Sequence, residues 1–423
     1  MKIVCFGPGP KFKGGISNYN TSLAKSLAAF PENEVHIVSW TQQYPAIIPR
    51  EFVDKTSKTD LLADTNIQVK YITNYNNPFS WSETVDYIAD LKPDIVIFQW
   101  SIAVQGLPLG YIVRRLRKYK NIEIMFDMHF VIQKENSSLD KILTRYGVNK
   151  AHTYITHAYK TVDELKTLFP TKKYSVTETG ERSKDTDCQT VIKLYHPIYD
   201  IFKPNPDFDV QAFKKANGLK KHVFLFFGFI RKYKGLHNAI LAFEKVAAQR
   251  DDVSLVICGE SFWATLDNSK FSTKIKNILF GAAKKIFLKQ SDDERDYNPL
   301  ALIEQLGLQE KTLIKNEFVA NEEVHKYFQI SDVVLLFYLY ATPSGVESLT
   351  YNFKMPIVAT HVGHFPETIK DGFNGYLAEP ENIDDMARVM LRSLDEPISR
   401  ENVAEATKSM SWVNYAKAIL NKS

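Results

Sequence analysis

Short runs of β-branched and aromatic residues alternate with segments of helical periodicity along most of this 423-residue chain. Lys2–Phe6 is such a run, and in the segment after it Ile16, Tyr19, Leu23 and Leu27 share one face of a predicted helix. This alternation is typical of βαβ units, which place parallel strands between layers of helices. The sequence therefore predicts an α/β fold with parallel sheets.

The alternation occurs in two blocks, which predicts two Rossmann-like domains facing each other across a cleft. Pro197, Pro204 and Pro206 interrupt the pattern, so we place the boundary near residue 200, with domains at 1–200 and 201–405. Residues 406–423 are expected to form a final helix. The predicted strands are Lys2–Phe6, Glu34–Ser39, Gln68–Ile72, Asp94–Phe98, Glu123–Phe126, Tyr154–Thr156 and Lys193–Tyr195, then His222–Phe227, Ser254–Cys258, Thr312–Ile314 and Asp332–Leu336, with helices at Leu236–Gln249 and Glu322–Ile330.

The composition is that of a soluble globular protein, with 44% hydrophobic and 24% charged residues. The net charge of +4 is too small to indicate a nucleic-acid partner. Cys5, Cys188 and Cys258 lie far apart, so neither a disulfide framework nor a metal site is predicted. Because the N-terminal residues show no secretion signal, we expect a cytoplasmic protein.

A first glycine motif follows the first predicted strand. Gly7 and Gly9 alternate with prolines, and Gly14 and Gly15 immediately precede the predicted helix. Backbone amides at such a helix start can bind an anion at close range. The spacing is not the GxGxxG of a dinucleotide site, and a plain tight turn is the alternative interpretation.

A second motif, LFFGFIRKYKGL, places Gly228, Arg231 and Lys234 between a strand and a helix. Two cations at a helix N-terminus suit a diphosphate, because both charges and the helix dipole act on the same group. The alternative is a solvated basic loop. A third motif spans residues 341–377, in which Ser344, Gly345 and Val346 would begin a helix with free amides.

These motifs together resemble the retaining glycosyltransferases of the GT-B fold, the glycosyl transferases group 1, which include bacterial α-mannosyl-, α-glucosyl- and galactosyltransferases. The resemblance rests on GGISNY, FDMH, HPIYDIF, FGFIRKYKG and the stretch SGVESLTYNFKMPIVATHVGHFPETIKDGFNG. It implies two Rossmann-like domains and a C-terminal helix that crosses back to the first domain.

The resemblance also implies roles for single residues. Arg231 and Lys234 would bind the donor diphosphate and stabilise the leaving nucleotide, in place of a metal ion. Gly14, Gly15 and Gly228 would allow close approach of the donor. The amides of Ser344, Gly345 and Val346 would bind its phosphates.

For two further residues the sequence allows either a functional or a structural role. His129 would contact the sugar, but it could instead be a structural histidine at the end of a strand. Glu367 would lie near the donor pocket, but a charge at a helix N-terminus has the same pattern.

The implied reaction transfers a sugar from a UDP or GDP sugar to a saccharide or lipid-linked acceptor, with retention of configuration and without a cofactor or metal. The leaving diphosphate would accept the proton of the acceptor. One departure from the family is that Ala341 and Leu349 occupy the positions of two glutamates eight residues apart. Glu347 lies between these positions and is a candidate substitute.

Other functions are compatible with the same scaffold. The missing glutamates allow a sugar-nucleotide-binding or membrane-binding protein without catalytic activity. An epimerase or a phosphorylase of similar architecture is a third reading, since one fold hosts several reactions.

An unusual basic segment interrupts the second block at about residues 264–292. Its apolar residues fall at helical spacing, whereas Lys270, Lys274, Lys284 and Lys285 contribute to a positive face. This pattern predicts an amphipathic helix on an anionic membrane, which would hold a cytoplasmic enzyme peripherally on the inner face. A second basic helix is predicted from Tyr111. Packing of the apolar face onto the second domain is the alternative.

Overall fold

The computed structural model describes residues 1–44, 52–131, 138–185, 187–261, 297–343 and 345–421. Within these residues the strands form two separate parallel sheets, each flanked by helices. The predicted α/β fold of two Rossmann-like domains is therefore confirmed. Central strands such as Ile95–Trp100 and Val253–Cys258 are buried at every position, as expected for parallel strands with helices on both faces.

The first sheet has the strand order β3-β2-β1-β4-β5-β6-β8-β7. Its strands are β1 Lys2–Phe6, β2 Glu34–Gln42, β3 Gln68–Asn74, β4 Ile95–Trp100, β5 Glu123–Met128, β6 Thr153–Thr156, β7 Lys173–Thr177 and β8 Cys188–Lys193. Its helices are Gly15–Ala28, Pro78–Leu91, Gly106–Leu116, Ser138–Val148 and Tyr159–Leu168, with a 3₁₀ turn at Ala103–Gln105.

The second sheet has the strand order β11-β10-β9-β12-β13-β14. Its strands are β9 His222–Phe227, β10 Val253–Cys258, β11 Thr312–Lys315, β12 Val333–Leu336, β13 Ile357–Thr360 and β14 Gly375–Ala378. Its helices are Val210–Ala216, Leu236–Ala247, Ala301–Gln305, Val324–Gln329, Gly345–Asn352, Phe365–Thr368 and Ile383–Asp395, with 3₁₀ turns at Lys232–Lys234, Gln309–Lys311 and Asn321–Glu323. Helices Arg400–Ala406 and Trp412–Leu420 follow.

Some predicted bounds were wrong. The predicted strand at Lys193–Tyr195 is the end of β8, which begins at Cys188, and β7 was missed. The basic helix predicted from Tyr111 begins at Gly106 and ends at Leu116, because the chain turns before its last basic residues. The helix predicted at Glu322–Ile330 begins with a 3₁₀ turn.

The last helix, Trp412–Leu420, returns to the first domain as expected. The hydroxyl of Tyr415 donates to the carboxylate of Asp127 at the end of β5, at 3.1 Å. The guanidinium of Arg182 donates to the carbonyls of Ile419 and Asn421, at 2.6 and 3.1 Å. These bonds tie the chain end to the first sheet.

Among the described helices, none is both long and apolar enough to span a bilayer. The predicted amphipathic segment, including Lys270, Lys274, Lys284 and Lys285, lies outside the described residues, and so does Ser344.

Candidate functional site

A cavity of about 300 Å³ lies between the two domains. Both sheets contribute to it through the loops that follow β1, β9, β10, β11 and β12, which leave the carboxyl ends of parallel strands. Ligands of parallel α/β folds bind at this edge, because the helices that begin there point their amides toward it. The lining includes Gly14, Gly15, Asn18, Tyr199, Phe227, Gly228, Tyr233, Lys234, Glu260, Glu317, Phe318, Asn321, Thr342, Pro343, Gly345, Val346 and Leu349.

The first-domain loop presents a helix start to this cavity. Gly14 has a φ of +102° and precedes helix Gly15–Ala28, whose start has no side-chain cap. The hydroxyl of Ser17 donates to the carbonyl of Gly9 at 2.6 Å, which fixes the loop against the helix. The uncapped amides at the cavity can therefore bind an anionic or hydroxyl group.

The second-domain loop carries the only cationic side chain of the described cavity lining. Lys234 is the last residue of the 3₁₀ turn Lys232–Lys234 and is 7% exposed. Burial, with a smaller contribution from Arg231, lowers the pKa of Lys234 to about 8. Within the described residues no carboxylate forms an ion pair with Lys234. A buried cation without a counterion costs free energy. An anion that enters the cavity is therefore strongly attracted to the ammonium of Lys234.

Arg231 stands at the start of the same turn. It is partly buried, and its guanidinium lies 5.6 Å from the centre of the Tyr233 ring. Tyr233 itself lines the cavity. Arg231 is therefore not part of the described lining itself, but it lies beside the lining residue Tyr233.

The third loop reaches the cavity through Thr342, Pro343, Gly345 and Val346. Helix Gly345–Asn352 begins here, as predicted. Leu349 lies on the same helix and also lines the cavity, so an apolar side chain occupies one of the two positions at which the family often has glutamate. At the other position Ala341 is buried.

Glu347 points into the second domain rather than into this cavity. Its carboxylate pairs with the ring of His364 and accepts a hydrogen bond from the hydroxyl of Thr368 at 2.5 Å. It is 4% exposed. These contacts anchor the helix that carries Gly345 and Val346.

Two other predicted residues lie outside the cavity lining. His129 is buried, with its ring against Tyr19 and its Nε2 atom 2.8 Å from the amide oxygen of Gln99. Burial lowers the pKa of His129 to about 3, so this ring is neutral at pH 7. Glu367 accepts a hydrogen bond from the backbone amide of Tyr159 at 3.2 Å, across the domain boundary.

Among the predicted residues, the cavity brings together Gly14, Gly15, Gly228, Lys234, Gly345 and Val346. Sequence reasoning missed several lining residues, including Tyr199, Phe318 and Glu317. The motif HPIYDIF contains Tyr199, but no spacing rule shows that a linker tyrosine enters the cleft. Phe318 and Glu317 follow a short strand and carry no motif.

Two contacts lie beside the cavity, one made by the linker between the domains and one by the second domain. The hydroxyl of Tyr199 donates to the carbonyl of Gly15 at 2.8 Å. In the second contact, one carboxylate oxygen of Glu322, next to the lining residue Asn321, accepts three hydrogen bonds, from the amides of Lys58 and Thr59 and from the Thr59 hydroxyl, at 2.5, 2.7 and 2.9 Å. In the described residues no group of three or more His, Cys, Asp or Glu side chains could hold a metal ion.

Comparisons with known proteins point in one direction. Residues 207–410 match the family described as glycosyl transferases group 1. HepE from Anabaena, solved in complex with UDP-glucose, aligns over 99% of this chain and 98% of its own, with a TM-score of 0.65 and 14% identity. Sucrose-phosphate synthase from Thermosynechococcus elongatus aligns over 99% and 96%, at a TM-score of 0.61 and 15% identity.

The lipopolysaccharide outer core galactosyltransferase WaaB, in its apo form, covers 99% of both chains at a TM-score of 0.58 and 14% identity. No curated protein matches the sequence significantly. At these identities the solved structures establish the fold of the chain.

Proposed function

Because this chain belongs, through residues 207–410, to the glycosyl transferases group 1, we propose that it transfers a sugar from a UDP-sugar to a saccharide or lipid-linked acceptor, with retention and without a metal. That it is a nucleotide-sugar glycosyltransferase of the GT-B fold follows from the family and the architecture. The donor base, the stereochemistry, the metal independence and the acceptor are the proposed part.

The observation that carries the proposal is the buried ammonium of Lys234 at the cavity wall. Burial and the nearby Arg231 lower the pKa of this ammonium, which makes the charged form costly in the cavity without an anion. A diphosphate would supply that anion, and the amides at Gly15 and Gly345 would add hydrogen bonds from two helix starts. Lys234, with Arg231 beside it, would do what a metal ion does in other transferases.

The preference for UDP has a separate basis. HepE from Anabaena was solved with UDP and with UDP-glucose, and it shares the fold over nearly its whole length. The apolar and aromatic side chains of Phe227, Phe318 and Leu349 give the cavity a wall against which a flat base can pack. Two carboxylates of the lining, Glu260 and Glu317, are candidates to accept hydrogen bonds from ribose hydroxyls.

The proposed reaction with retention uses the same arrangement. The uncapped helix start at Gly15 and the cation at Lys234 would stabilise negative charge on the leaving diphosphate. The bond from the anomeric carbon to the diphosphate oxygen breaks, the acceptor oxygen bonds to the same face, and the acceptor proton passes to the departing diphosphate. His129 and Glu347 are engaged elsewhere, so we assign them supporting rather than catalytic roles.

A membrane-borne acceptor is the final part of the proposal. Large apolar side chains are exposed in the first two turns of three adjacent first-domain helices, namely Phe79, Leu107, Leu139 and Ile142. All three helices follow strands of one parallel sheet, so these side chains share the cleft-side end of the domain. Exposed apolar side chains of this kind, and the run of lysines in the sequence at 264–292, are the features of proteins that bind an anionic bilayer surface.

The first experiment measures binding of UDP, GDP and ADP by calorimetry, in EDTA, to the wild type and to Arg231→Ala. Lys232→Ala, which removes a neighbouring cation, is the matched control. We expect UDP to bind the wild type and the control, and to bind Arg231→Ala at least about tenfold more weakly. If none of the three nucleotides binds, the transferase proposal fails and a role without this donor site takes its place.

Sedimentation with vesicles tests the membrane part. We expect the wild type to bind vesicles of phosphatidylglycerol and to ignore phosphatidylcholine. Replacement of Lys270, Lys274, Lys284 and Lys285 by glutamine should abolish this binding, because each cation near the surface contributes about 1 kcal/mol. Equal sedimentation of the variant and the wild type would remove the segment from the proposal.

A further inference from the structure

We propose that Tyr199 is a positioning residue that sets the distance between the two glycine-bearing helix starts of the cleft, an inference that rests on the proposed function. Tyr199 belongs to the linker between the two domains and is 3% exposed. Its hydroxyl donates to the carbonyl of Gly15, in the first turn of helix Gly15–Ala28. The linker tyrosine thus holds the helix start of the first domain directly.

The same ring packs against the helix start of the second domain. A Cβ placed on Gly345 would lie 2.8 Å from the Cε2 atom of Tyr199 and 3.0 Å from its hydroxyl oxygen. Such a distance excludes any side chain at this position unless the tyrosine moves. Tyr199 therefore stands between Gly15 and Gly345 and touches both.

The linker beside Tyr199 is itself fixed to the second domain. The hydroxyl of Ser348 and the Nδ1 atom of His196 are 2.6 Å apart, and the backbone amide of Tyr199 donates to the Ser348 carbonyl at 3.4 Å. Ser348 lies on helix Gly345–Asn352. Movement of that helix is consequently passed through Tyr199 to Gly15.

This arrangement predicts a separation between binding and turnover. Of the residues proposed to hold the nucleotide, Gly228, Lys234 and Val346 belong to the second domain, and Gly15 is the one proposed from the first. The contact of the first domain is made at Gly15, and its position depends on the Tyr199 hydroxyl. Loss of the hydroxyl should therefore spare UDP affinity and reduce the rate, since reacting groups tolerate little displacement.

The test compares Tyr199→Phe with Tyr154→Phe. Tyr154 is also fully buried and donates to a backbone carbonyl, that of Val148 at 2.9 Å, but within the core of the first domain. Both variants lose one buried hydrogen bond and should lose similar thermal stability. Any effect of Tyr199→Phe alone is therefore due to its position between the two helix starts.

Two readouts decide the matter. In hydrogen–deuterium exchange of the protein without nucleotide, peptides covering residues 15–28 and 345–352 should exchange faster in Tyr199→Phe and remain unchanged in Tyr154→Phe. In hydrolysis of UDP-glucose, Tyr199→Phe should lose about tenfold or more in kcat, with a UDP dissociation constant within about threefold of the wild type.

The positioning role would be overturned if Tyr199→Phe showed wild-type exchange in both peptides. It would also be overturned if the wild type were active and Tyr199→Phe had the same kcat. If the wild type neither binds UDP nor hydrolyses UDP-glucose, the proposed function has failed, and the exchange data alone then decide whether Tyr199 couples the two helix starts. The two failures are thus distinguishable.

Discussion

The ammonium of Lys234 lies directly against the backbone of Gly228, so that a Cβ added to Gly228 would lie 3.0 Å from the Lys234 Nζ atom. The methyl group of Val346 would be 3.1 Å from the same Cβ. Gly228 also has a φ of +99°, which L-residues rarely adopt. The glycine therefore leaves room for the cation and for whatever the cation binds.

Replacement of Gly228 by alanine is expected to weaken UDP binding, because the new methyl group would lie 3.0 Å from the ammonium of Lys234 and displace it. Gly218→Ala is the control, since Gly218 also has a positive φ but has no atom within 4 Å of an added Cβ. Both variants should lose about 1–2 kcal/mol of unfolding free energy through backbone strain. Calorimetric titration with UDP separates them, and equal affinities of the two variants would contradict the arrangement.

Lys234→Met is expected to stabilise the nucleotide-free protein while it removes UDP binding. The lowered pKa of about 8 corresponds to a cost on the order of 3 kcal/mol for the buried charge, and methionine retains the apolar part of the side chain. Thermal denaturation at pH 7 should show a higher midpoint for the variant and no further rise with UDP. Lys232→Met should change neither property, and a lower midpoint of Lys234→Met would mean that the lysine stabilises the fold.

The affinity for UDP should fall as the pH rises above about 8. Lys234 must be protonated to attract a diphosphate, and the bound anion raises its pKa, so binding takes up a proton once the free lysine is deprotonated. Calorimetry at pH 7 and pH 8.5 in buffers of different ionisation enthalpy measures that uptake. In Lys234→Arg the affinity should no longer change with pH in this range, and a wild-type affinity that stays constant would refute the assignment.

Much of the fold could be predicted because its determinants are local. The run of apolar residues at His222–Phe227 and the glycine motif after it specify a buried strand and a turn at adjacent positions. β7 was missed because Lys173–Thr177 lies at the edge of its sheet and is only partly buried, so it lacks the apolar run of a central strand.

The site was predictable only where a motif carries its own geometry. Gly15, Gly228 and Gly345 stand at helix or turn starts, which the sequence marks. The direction of a side chain depends on packing that no spacing encodes. Glu347 was a candidate substitute for the missing carboxylates, yet its partners His364 and Thr368 come from the short helix Phe365–Thr368 and the residue before it.

Acid should destabilise the protein because several histidines are buried in the neutral form. Burial lowers the pKa of His129 to about 3 and that of His152 to about 4, whereas an unfolded chain has a pKa near 6.5. Below about pH 6.5 the unfolded state binds protons that the folded state does not. The free energy of unfolding therefore decreases as the pH is lowered. Urea denaturation between pH 7 and pH 4.5 measures the slope.

His152→Asn should reduce that slope by about one proton near pH 5. The Nδ1 atom of His152 accepts a hydrogen bond from the amide of Ile124 at 2.8 Å, which protonation would remove. His325→Asn serves as the control, because its ring is only partly buried on helix Val324–Gln329. The explanation fails if the two variants have the same slope.

The hydrogen bonds of Glu322 should hold the cleft closed when no nucleotide sugar is bound. Its single carboxylate oxygen joins the second domain to Lys58 and Thr59 of the first. Glu322→Ala should cost about 1–2 kcal/mol at this partly exposed site and increase the radius of gyration in X-ray scattering. Glu323→Ala, which breaks an ion pair with Lys326 inside the second domain, should leave the radius unchanged. A Glu322→Ala protein with the wild-type radius would show that Tyr199 and the C-terminal helix suffice to keep the domains together.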